Sequence, residues 1–164
     1  MKMSKFVLFV ILFLLWSLLT WSFNYQDVIV GFILSLAIAI FMGDIFTEHP
    51  QKFGKVTRYL WMIYYVPVFF WYVIVANLDV AYRVLHPKMP IKPGIVKVKT
   101  TLKSDSARTF LANSITLTPG TMTVDITDDG YLYIHWINVT TTDVEEASKK
   151  IVAQFEYFLK HIYE

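Results

Sequence analysis

The sequence of 164 residues contains four histidines and no cysteine. Disulfides, thiolate-bound iron–sulfur clusters and Cys-ligated zinc are therefore excluded for this chain. His49, His86, His135 and His161 are scattered without ligand spacing, and His135 stands beside Trp136 in an alternating segment, as a sheet-face histidine does. Asp125, Asp128 and Asp129 form a small acidic group, but the last two precede Gly130 and read as turn residues rather than metal ligands. No phosphate-cradling glycine loop, G-x-S-x-G or H-E-x-x-H occurs. No catalytic residue, cofactor site or metal site is expected. The ionisable groups next to apolar segments remain. Asp44 and Asp79 qualify, because a charge in lipid is costly and is retained for a reason. Both close an apolar run, so each can also reach the headgroup region without a partner. No Lys or Glu lies mid-run, and the chain is not expected to be an ion pore.

The segments that carry these groups are membrane-like. Hydrophobic residues make up 55% and charged residues 17%, against about 25% charged in soluble domains. Phe6–Phe23 and Val28–Gly43 are uncharged, the second extendable through Ile45 and Phe46, and Tyr59–Leu78 is a third such run. About 20 apolar residues cross the hydrocarbon as a helix, so helices are expected at about 6–23, 28–46 and 59–82. Lys2 and Lys5 resemble the charged start of a signal peptide. The long first run, the missing small-residue cleavage site and the second run directly after it argue against one. Asn24-Tyr25-Gln26-Asp27 makes the first two runs a tight transmembrane hairpin. Ser17, Thr20, Ser22 and Ser35 are candidates for close helix contact.

The third run holds Pro67 and a crowd of aromatics from Tyr59 to Tyr72. Tyr and Trp favour the membrane interface. The run is compatible with a full crossing or with lying partly in the interface, and its aromatics suit a protein face or lipid equally. Basic residues gather at the N-terminus, in Thr47–Arg58 and after Arg83. The positive-inside rule places all three in the cytoplasm, which three full crossings cannot do. Either the third run does not fully cross or the N-terminus is outside. Both alternatives put the C-terminal part in the cytoplasm of a multi-pass cell-membrane protein, with the lipid bilayer as a partner. A net charge of +2 without a dense basic run gives no case for nucleic acid.

Pro87, Pro90 and Pro93, followed by Gly94, end the helical pattern. The expected division is a membrane region 1–86, a proline-rich linker 87–94 and a small domain 95–164. In that domain Ile95–Leu102 alternates as a strand, and Ser104 and Asp105 offer the cap of a helix whose stripe is Ala107, Phe110, Leu111, Ser114 and Ile115. Pro119-Gly120 breaks the chain. Thr121–Thr127 is a strand with Met122, Val124 and Ile126 on one face, Asp128-Asp129-Gly130 a turn and Tyr131–Val139 the return strand. Thr142 to Glu145 has capping-box form with Thr142 as cap, followed by an amphipathic helix through Ile162. The fold class is thus a membrane α-helical hairpin plus a third apolar helix, followed by a small α+β domain of order β-α-β-β-α with its helices on one sheet face.

Three stretches then carry a resemblance: Ala76-Asn77-Leu78-Asp79-Val80-Ala81-Tyr82-Arg83-Val84-Leu85, Pro90-Ile91-Lys92-Pro93-Gly94-Ile95-Val96, and Leu111-Ala112-Asn113-Ser114-Ile115-Thr116-Leu117-Thr118-Pro119-Gly120-Thr121. In this order the chain resembles the E-type subunit of Mrp-type multisubunit cation/proton antiporters over nearly its whole length. The resemblance implies an accessory subunit supporting assembly and Na+/H+ exchange, with other subunits of the antiporter module as partners. Related modules occur in membrane-bound hydrogenases and other redox-driven complexes. It implies no catalytic residue. The matched positions Asn77, Asp79, Arg83, Pro93, Gly94, Asn113, Ser114, Thr118, Pro119 and Gly120 are expected to be structural. Thr118-Pro119-Gly120 would end a helix and start a strand, and Asn113-Ser114 would bond backbone locally. The rival reading is a membrane-anchored ligand-sensing regulatory protein.

Overall fold

A computed structural model describes residues 3–22, 24–46 and 55–164. Lys2, Phe23 and most of the expected basic loop, with His49, Pro50, Lys52 and Gly54, lie outside them. The chain forms two compact units that divide between Lys55 and Val56.

The first unit is the hairpin of α1 (Met3–Thr20) and α2 (Tyr25–Phe46). Trp21, with φ of 47°, turns the chain out of α1, and the Asn24 side chain accepts from the Gln26 amide at 3.2 Å to open α2. The helices close along a seam of small residues on α2: Gly31, Ser35, Ala39 and Gly43, each one helical turn after the last. Ser35 and Ala39 are buried, and a Cβ on Gly31 would stand 2.2 Å from Trp16 Cδ1. Small side chains let backbones approach, which is how apolar helices associate where water gives no drive. The Trp16 indole donates to the Asp27 carbonyl at 2.9 Å, and Phe9 meets Phe32 edge-on at 5.2 Å. Of the four hydroxyl candidates only Ser35 lies in the seam. Ser17 and Thr20 donate to their own helix, and Ser22 accepts from Asn24.

The second unit begins with α3 (Val56–Leu85), a 30-residue helix carrying Pro67. The strands β1 (Gly94–Lys99), β2 (Thr121–Ile126) and β3 (Tyr131–Trp136) form an antiparallel sheet of order β1-β3-β2. The helices are α4 (Asp105–Leu117), α5 (Val144–Ile151) and α6 (Ala153–Tyr163). Val96, Val98, Leu132 and Ile134 point from the sheet into a core shared with Leu111, Ile115, Phe155 and Leu159 of the helices. The Ser104 hydroxyl caps α4 as expected.

Three local expectations are corrected. Met122 and Ile126 do not share a face. The register slips between Thr123 and Asp125, so Ile126 pairs with core-facing Leu132 while Met122 pairs with outward His135. An inserted residue reverses the alternation beyond it. Asp143, not Thr142, caps α5, accepting from the Glu146 amide at 2.9 Å. The expected single C-terminal helix is two, joined at Val152.

By length and composition α1, α2 and α3 could each cross a membrane. Yet α3 also belongs to the packed core of the second unit. Tyr65 is buried, and Trp61, Phe69 and Tyr72 pack against α6. Half of the aromatic run is thus an intramolecular face.

Candidate functional site

Five of the ten motif positions, Asp79, Arg83, Thr118, Pro119 and Gly120, converge where α3, the proline linker and the turn after α4 meet. Asp79 and Arg83 are one turn apart on α3 and form a bidentate ion pair, Arg83 Nε to Asp79 Oδ2 at 2.7 Å and Nη2 to Oδ1 at 2.9 Å. The guanidinium also donates from Nη1 to the Pro90 carbonyl at 2.7 Å. The Asn138 amide, turned with its oxygen toward Arg83, accepts at 3.1 and 3.3 Å. Arg83 therefore ties the helix to the linker and to the end of the sheet. Bidentate geometry makes an arginine the right residue for such a knot. The linker is held from its other side as well. Lys92 bridges to Asn138, its amide donating to the Ile137 carbonyl at 3.1 Å and its carbonyl accepting from Val139 at 2.8 Å.

Thr118-Pro119-Gly120 closes the junction. The Thr118 hydroxyl donates to Ser114 O at 2.8 Å and its amide to Ile115 O at 3.2 Å, ending α4 on satisfied carbonyls. Gly120 has φ of 91°, and a Cβ there would lie 3.0 Å from Ile137 Cγ2 and 3.5 Å from Val80 Cγ2 on α3. Glycine is required both by the backbone and by the close approach. Around the junction lies a cleft of about 230 Å³ whose polar lining includes Asp79, Arg83, Thr140, Lys150 and Gln154. Lys150 donates to Thr140 at 3.0 Å. The arrangement offers an ion pair, a lysine and hydroxyls engaged in backbone bonds. It holds chain segments together and presents no nucleophile paired with a base.

Ser114 serves a second contact. Its hydroxyl lies 2.6 Å from the Tyr65 hydroxyl and 2.7 Å from the Phe110 carbonyl. One serine proton serves one acceptor, so Ser114 donates to Phe110 and Tyr65 donates to Ser114. Near the start of α3, Arg58 donates to the Ile162 carbonyl and sits 5.5 Å from the Tyr163 ring. Burial pushes the Tyr163 phenol up to about 12, against the lowering effect of Arg58.

The structure thus unites Asp79, Arg83, Thr118, Pro119 and Gly120, and places Ser114 on the Tyr65 contact. It does not gather the others. Asn77 donates to its own helix at Val73, Asn113 and Pro93 are exposed, and Gly94 opens β1 against Val139. Asp44 stands at the open end of the hairpin, 3.1 Å from Lys5 Nζ. The sequence reading missed Tyr65, Asn138 and Lys150. Tyr65 had a signal: it lies two turns after Arg58 and four turns before Asp79, on the stripe that carries both charges.

A family model described as Na+/H+ ion antiporter subunit, MNHE, matches residues 9–162. This chain belongs to that family. Among its relatives, the E-type subunit of the Na+/H+ antiporter of Alkalihalophilus pseudofirmus is 39% identical over 72% of this chain and 73% of its own length. The corresponding antiporter subunit of Bacillus subtilis is 36% identical over 91% of this chain and 89% of its own. Among solved structures, a chain in the membrane-bound sulfane sulfur reductase, an archaeal respiratory membrane complex, aligns with a TM-score of 0.86. It is 47% identical and covers 98% of this chain and 99% of that one. The matched range takes in both compact units and the junction of α3 with the sheet.

Proposed function

We propose that this chain is an accessory, non-catalytic subunit of an Mrp-type cation/proton antiporter module, supporting its assembly and Na+/H+ exchange. The observation that carries the reading is the likeness along the whole chain to E-type antiporter subunits. The hairpin supports it. Among the described residues α1 and α2 hold no ionisable group between Lys5 and Asp27 other than Tyr25, nor between Asp27 and Asp44, and Asp44 is matched by Lys5 at the helix end. An ion path through these helices would need a relay of such groups. The motif residues Asp79, Arg83, Thr118, Pro119 and Gly120 are structural in this reading: they fix the domain to its helix so that both present one surface to neighbouring subunits.

The C-terminal domain faces the cytoplasm: with two crossings Lys5, Lys55, Arg58 and the lysines after Arg83 obey the positive-inside rule together, and with three crossings from an outside N-terminus the domain is on that side too. The 47% identity to a chain of a respiratory membrane complex favours a redox-driven parent complex over a plain antiporter. The test is to tag the full chain in its native host, solubilise the membranes mildly and identify what co-migrates. Antiporter subunits are expected, accompanied by electron-transfer subunits if the parent is redox-driven. A stable monomer without antiporter subunits would sink the proposal.

A further inference from the structure

The long helix α3 has two faces, and they make incompatible demands if the helix crosses a bilayer. One face carries Arg58, Trp61, Tyr65, Phe69, Tyr72, Ala76, Val80 and Arg83, and it is covered by the α/β domain from end to end. Trp61 stacks at 4.4 Å on His161, and Tyr65 reaches Ser114. Phe69 and Tyr72 pack on Phe155, and Arg83 bonds the linker. From Arg58 to Arg83 the helix rises about 38 Å at 1.5 Å per residue. That exceeds the roughly 30 Å hydrocarbon thickness. Were α3 a span, the packed domain would be carried into the hydrocarbon along its length, with Lys150, Glu156 and Lys160 on the elements that touch the helix. Charged groups and irregular backbone do not tolerate lipid exposure.

The opposite face demands an apolar partner. Val56, Leu60, Ile63, Phe70, Ile74, Leu78 and Leu85 fall on one stripe and are all exposed. The three charged residues of α3, Arg58, Asp79 and Arg83, are absent from it. Tyr59, Tyr64, Trp71 and Tyr82 flank it, also exposed, where an amphipathic ring suits a lipid–water boundary. Pro67 faces the same way and has no N–H for the Ile63 carbonyl, a group that boundary water can satisfy and hydrocarbon cannot.

We propose that α3 does not cross the bilayer but lies flat on its surface, the outer stripe immersed at the headgroup–acyl boundary and the α/β domain seated on top. The occupant of the exposed apolar stripe is thus lipid. The chain then crosses twice, and its three basic regions fall on one side without exception. The flat orientation stands on the geometry of α3; only the side of the membrane rests on the function proposed above.

The natural absence of cysteine makes the test direct. Single cysteines replace Leu60, Ile63, Phe70, Ile74, Leu78 and Leu85 in the full chain, are spin-labelled in liposomes, and are read for depth by collision with oxygen and with a water-soluble nickel complex. Ile33→Cys on the exposed side of α2 must report mid-bilayer depth and so certifies insertion. The flat helix predicts that all six labels share one shallow depth of roughly 5–10 Å. A profile that deepens to about 15 Å near Phe70 and shallows again, as a span through a 30 Å core requires, overturns it. Labels open to nickel throughout, or shielded from both reagents by protein, overturn it equally.

Discussion

The tyrosine–serine contact between α3 and α4 is directional, and its direction sets the result of mutation. Ser114→Ala removes the acceptor and leaves the Tyr65 hydroxyl buried without a partner, which typically costs about 1–3 kcal/mol. Tyr65→Phe leaves Ser114 bonded to Phe110 and should cost less. Thermal unfolding of the full chain in detergent gives the ranking, and an equal or reversed order would refute the assigned direction. Gly120→Ala meets both a positive φ and Ile137, and a non-glycine residue held in such backbone costs about 1–3 kcal/mol. Tyr163 adds a pH signature. Its folded pKa of about 12 lies above the ordinary value of 10, so its share of stability is complete below pH 10 and is lost as pH rises toward 12. The melting temperature should fall across that window, and Tyr163→Phe should flatten the fall. At this scale the sequence was partly readable. Ser104 and the Asp-Asp-Gly turn follow from local chemistry. The cap at Asp143 beside an equally plausible Thr142 does not, because both side chains suit the position.

Among the elements, the α1–α2 seam depends on space rather than hydropathy. Gly31→Val would collide with Trp16, an overpacking that typically costs about 1–3 kcal/mol, whereas Ile33→Val on the exposed side should be nearly neutral. Detergent melting curves compare the two, and equal effects would mean that the seam is not closed as described. The helices themselves were legible because uncharged runs of this length have few alternatives. The faces of α3 were not. Its packed and outer stripes are both apolar, and hydropathy counts residues without asking which side they occupy. The legible trace was the placement of Arg58, Asp79 and Arg83 within one side of the helix. The face of β2 was unreadable for another reason: a bulge at Val124 leaves no mark in a stretch that alternates on paper.

For the whole molecule, the parts fit the accessory subunit proposed above. The hairpin has its charges at its ends, and Asp79, Arg83, Thr118, Pro119 and Gly120 gather where α3 meets the sheet. The family match covers both units. The central claim is that the parent antiporter module needs this chain to assemble and to exchange ions. The measurement is Na+-dependent proton movement in everted vesicles from an antiporter-deficient host carrying the complete set of module genes, with this one deleted or restored. Deletion should abolish exchange and remove the full-size complex from native gels, and the chain supplied separately should restore both. Undiminished exchange by a full-size complex without the chain would contradict the account.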